Sequence, residues 1–64
     1  MKLKKYLRMN RMTGQEFAVE NNLPMASIYA YLRGVIPRLK RAALIEKITD
    51  GLVTIDDLRG KEDE

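Results

Sequence analysis

The run LPMASIYAYLRG, Leu23 to Gly34, is followed at once by VIPRLKR, so a helix-sized segment stands beside Arg33, Arg38, Lys40 and Arg41. Cations grouped about one short helix suit a polyanion: they neutralise phosphates while the helix reaches base edges in the DNA major groove. At about 100° per residue, Ile28, Tyr31 and Leu32 fall on the inner side of a helix over 24–33. Ala26, Tyr29, Ala30 and Arg33 fall on the outer side, with Met25 on the flank. That outer face is short of the Gln, Asn and Arg side chains that pair bidentately with bases. Ala and Met can touch a thymine methyl, Ser27 offers a hydroxyl, and Tyr29 can hydrogen-bond or pack in the groove, so readout would lean on methyl contact and DNA shape. Arg33 has two uses, a guanine or a phosphate, and the phosphate is favoured because most protein–DNA hydrogen bonds go to the backbone. Tyr29 is read first as a base contact, against a protein contact or plain surface. Arg38, Lys40 and Arg41 are read as backbone contacts, against a solvated charged face. Lys4, Lys5 and Arg8 fit phosphate contact and solubilising charge equally.

The rest of the chain bounds this reading. Sixty-four residues allow one small core. The absence of Cys and His removes disulfides, thiolate zinc sites and His-based catalysis, so no cofactor or metal is expected and an enzyme is the least favoured class. Carboxylates such as Asp56 and Asp57 read as capping and solvated charge. The net charge of +3 is unevenly spread. Residues 1–41 hold nine Lys or Arg against Glu16 and Glu20, a net +7, whereas 42–64 hold three against seven, a net −4. Such a polarised domain would attract and orient a polyanion. The N-terminal segment has a basic flank without the apolar run of a signal peptide, and no stretch suits a membrane span, so a cytosolic protein is expected.

Five helices and no strand are predicted. The first, near Lys2 to Asn10, turns Leu3, Tyr6 and Leu7 inward with Met9 at the edge of that face. Thr13 and Glu16 have capping-box spacing, so the second starts at Thr13; Asn22 in a left-handed conformation closes it. Pro24 suits the first turn of the third, which Gly34 stops. The very short turn between them allows sharply crossed packing, with small Ala18 letting the helices approach and Phe17, Leu23, Ile28 and Tyr31 filling the angle. The fourth helix, in RLKRAALIEKITD, puts Leu44, Ile45 and Ile48 on its apolar side, and Gly51 follows its end. Thr54 and Asp57 cap a one-turn fifth helix that folds Ile55 and Leu58 onto the core. One domain over 1–60 is followed by an acidic tail, 61–64, expected to be disordered.

Helix, short turn, helix, with flanking helices, resembles the Cro and repressor class of phage and bacterial helix-turn-helix proteins. The likeness rests on TGQEFAVENNLPMASIYAYLRG, with small Ala18, aliphatic Ile28 and Gly34 after the third helix. The close, IEKITDGLVTIDDLRG, is similar to the IE..T.G.VT..DLR ending of the small YdaS-like and Cro-like branch, and the two parts cover most of residues 13–60. The resemblance implies a compact five-helix, lambda-repressor-like, all-α domain that binds double-stranded operator DNA and regulates transcription in a bacterial host, in the cytoplasm at the nucleoid. It implies base-reading positions at Met25, Ala26, Tyr29 and Ala30. It places the family's phosphate-anchoring glutamine position on Gly14, a departure that leaves Gln15, or the N–H groups at the Thr13 end, to reach the backbone instead.

On that reading the protein represses by occupying an operator and excluding polymerase. One recognition helix and few phosphate contacts favour two copies on a two-fold site, a homodimer formed on the DNA itself. Val53, Ile55 and Leu58 are the expected dimer contact, against the plain reading that they cap the core. A competing class is a protein-interaction module of antitoxin or antirepressor type, using the apolar face of Met25, Ala26, Tyr29 and Ala30. An architectural DNA-bending protein would need a wing or wedge that the sequence lacks.

Overall fold

Thr13 and Glu16 close the reciprocal pair that their spacing predicts. The Glu16 N–H donates to Thr13 Oγ1 at 3.0 Å and the Thr13 N–H donates to Glu16 Oε1 at 2.8 Å, satisfying two helix-end donors. The computed structural model, which describes residues 1–60, starts helix α2 (Gly14–Glu20) there, after α1 (Leu3–Met9). Asn22 takes the left-handed conformation, φ 58°, and α3 (Met25–Leu32) follows. Pro24 stands as the residue before α3, one position outside its first turn, because its extended ψ of 129° is not helical. At the other end Gly34, at φ 110°, donates to the Tyr31 carbonyl while Val35 donates to Ala30, the paired closure that a left-handed glycine permits. The chain continues through α4 (Leu39–Ile48) to α5 (Ile55–Leu58), where Thr54 and Asp57 form a second capping box. The fold is therefore all-α with five helices, and the described residues contain no strand.

The core takes Leu3 and Leu7 from α1, Phe17 and Ala18 from α2, Ile28 from α3, Ala42 and Ile45 from α4, then Val53 and Leu58. Phe17 meets the ring of Tyr6 edge-on, centroids 6.2 Å apart. The most extensive helix–helix packing is α2 on α3, where Ala18 is wholly buried and its carbonyl accepts from the Leu23 N–H at 2.8 Å. Buried Thr49, which the sequence pattern does not single out, uses its hydroxyl as a second clasp: it donates to the Ile45 carbonyl and accepts from the Val53 N–H.

Expectations about packing also need correction. Met9 is exposed, because α1 is only two turns long and its inner stripe is filled by Leu3 and Leu7. Leu44 is 41% exposed and small Ala42 takes the inner position, since Ala42 lies closer to Ile45 around the helix than Leu44 does. Of the three residues expected at a dimer contact, Val53 and Leu58 are buried in the core, as the plain reading has it, and Ile55 is half-buried. The expectation of disorder for 61–64 falls outside the described residues. No helix among the described residues is long and apolar enough to cross a membrane.

The ends of the fold are tied at one carboxylate. The Met1 amine donates to Asp57 Oδ2 at 2.8 Å and to the Leu52 carbonyl at 2.6 Å. Burial raises the Asp57 pKa, but hydrogen bonds that the carboxylate accepts from that amine and from Thr54 outweigh it and hold the carboxyl below its ordinary value of 3.8. The folded protein then binds fewer protons here than the unfolded chain. The resulting stabilisation is present above pH 3.8 and is lost as pH falls through the lower folded value. Asp57→Asn is expected to melt below wild type at neutral pH, with the gap narrowing in acid; a gap independent of pH contradicts the assignment.

Candidate nucleic-acid interface

The turn between α2 and α3, residues 21–24, holds α3 so that Ile28 is sealed in the core and the opposite side is open. Met25 (41%) and Tyr29 (39%) are exposed, as are Ala26 and Arg33. Ser27 and Ala30 are half-buried, so they present less than the helical pattern suggests. Tyr31 is half-buried rather than sealed, and its hydroxyl accepts a 3.4 Å hydrogen bond from Arg41 Nη1. Arg41 is thereby drawn against α3, while Arg38 and Lys40 stay exposed.

The cations gather in two places. Arg38, Lys40, Arg41 and Lys47 line one shallow groove floored by Ala43 and Leu44. Lys47 is absent from the sequence-based set, although it lies two turns along α4 from Lys40, and that periodicity could have found it. Arg33 and Lys4 line, with the Asp57 carboxylate, a cleft of about 290 Å³ where the end of α3 meets α1 and α5. Among the described residues Arg33, Arg38 and Lys40 form no ion pair, whereas Met1 and Asp57 do. The N-terminal ends of α3 and α4 also lack a side-chain cap and an acidic first turn, which leaves their positive dipole ends uncompensated.

Gly14 is placed otherwise than as a surface contact. It is buried against α3, and a Cβ built on it would come within 3.2 Å of Leu32 Cδ1 and Tyr29 Cε1 and 3.3 Å of Tyr29 Cζ. Gln15 beside it is exposed. The described residues contain no group of three or more His, Cys, Asp or Glu placed to hold a metal ion. No family model, no curated protein and no solved structure matches the chain.

Proposed function

We propose that this chain is a sequence-specific DNA-binding regulator of transcription that sets α3 into the major groove. The observation that carries the proposal is an open helix face, Met25, Ala26, Tyr29 and Arg33, flanked by cations that no carboxylate engages among the described residues. A helix–turn–helix pair of this kind lays its second helix in the groove while the first crosses the backbone. Met25 and Ala26 meet thymine methyls, and Arg38 and Lys40 hold phosphates on the flank. Arg33, which lines one cleft with Lys4, serves a phosphate better than a base. Arg41 steadies Tyr31 and lends its charge to the same flank. The resemblance of residues 13–60 to the Cro and repressor class supports the same reading and a repressor role on a two-fold operator.

The exposure of Met25 and Tyr29 also favours a second reading, a protein contact through that apolar face. Titrating a labelled mixed-sequence duplex pool at two salt concentrations, and sequencing the bound fraction, separates them. DNA binding requires affinity that falls steeply with salt and an enriched symmetric site. No retention at low salt overturns it in favour of the protein contact.

A further inference from the structure

Gly34, Gly51 and Gly60 sit at positive φ with open space where a side chain would be, so the backbone explains them. Gly14 is different: it is the first residue of α2 in ordinary helical conformation, where glycine is a poorer helix former than alanine. Packing is what remains to account for it. The edge of the Tyr29 ring that carries the hydroxyl lies, with Leu32 Cδ1, within 3.2–3.3 Å of where a Cβ would stand, so a side chain at position 14 would press the ring off α2 by a few tenths of an ångström. Glu16 and Glu20 line a different surface, with Thr13, Gln15 and Val19, so neither carboxylate is on the Tyr29 side of the helix. The Tyr29 hydroxyl has no hydrogen-bond partner among the described residues, and the side chain stays 39% exposed.

We infer that Gly14 is a positioning residue for DNA binding: it seats the Tyr29 ring against the first turn of α2, and from there the Tyr29 hydroxyl donates to a backbone phosphate instead of a base. This rests on the DNA-binding reading above. With α3 in the groove and α2 crossing the backbone, a side chain that leans from α3 onto α2 leans from bases toward phosphate.

The test uses the full chain, wild type and the variants Tyr29→Phe, Gly14→Ala and the double substitution, on the duplex pool, with thermal melting followed alongside. Tyr29→Phe keeps the ring and its packing, so its result does not depend on how well the Gly14 variants fold. It should weaken binding about tenfold, as expected for one hydrogen bond to a charged group, and equally on every sequence. The salt slope should not change, because a neutral hydroxyl displaces no counterion. Gly14→Ala should show the same uniform loss, and the double variant should be no weaker than Tyr29→Phe. A Tyr29→Phe variant that alters base preference, a Gly14→Ala variant that binds like wild type, or two losses that multiply would each overturn the inference while leaving DNA binding intact. Failure of the wild type to bind any duplex overturns the DNA-binding reading and this inference with it.

Discussion

Phe17→Ala is expected to remove about half of the stability of the fold. Phe17 is 1% exposed, is the largest side chain sealed in the core, and joins α2 to the ring of Tyr6 on α1. Truncating a buried Phe to Ala costs about 3–5 kcal/mol, from lost transfer energy and the cavity left behind. A domain of 64 residues has a total stability of roughly 3–10 kcal/mol, so one substitution removes a large share of it. Phe17→Leu, which keeps more of the volume, should cost clearly less than Phe17→Ala. Urea unfolding followed by far-UV circular dichroism measures both. A Phe17→Ala variant that unfolds cooperatively within about 1 kcal/mol of wild type would show that Phe17 does not hold α1 against α2 as described.

The second large effect concerns affinity. Replacing Arg38 and Lys40 together with alanine removes two exposed cations from the flank of α3 without touching the core. Each phosphate contact contributes about 0.9 to the slope of log affinity against log salt, so the slope should fall in magnitude by about 2. At 0.1 M salt the same relation makes the loss of affinity roughly 50- to 100-fold. Arg38→Lys keeps the charge and should keep the slope. Anisotropy titrations of a labelled duplex at several salt concentrations give both quantities. A double variant with the wild-type slope would remove Arg38 and Lys40 from the interface, whichever helix enters the groove.

What the sequence makes legible here is short-range. Thr13 with Glu16, Thr54 with Asp57, Asn22 and Gly34 each act within one helix turn, so the residues that specify the geometry are neighbours in the chain, and all behave as their spacing predicts. Facing is decided by tertiary partners instead. Ala42 and Leu44 both fit an apolar stripe on α4, and only the position of the other helices selects the smaller one. Asp50 and Arg11 adopt left-handed backbone after α4 and α1; Asp50 precedes Gly51, which marks the end of α4, whereas nothing in the sequence marks Arg11. The site divides along the same line. That Ala26, Tyr29 and Arg33 share an outer face follows from helical periodicity. That Gly14 is buried under Tyr29, and that Arg41 reaches Tyr31, depends on contacts between helices that no local pattern encodes.

The most direct measurement of whether α3 faces DNA is an amide chemical-shift map of the isotope-labelled chain as short duplex DNA is added at low salt. Binding through α3 predicts the largest changes from Met25 through Arg41, with Gly14 and Gln15 at the first turn of α2, and little change in α5. Changes centred on α5, or none on residues 25–33, would contradict it.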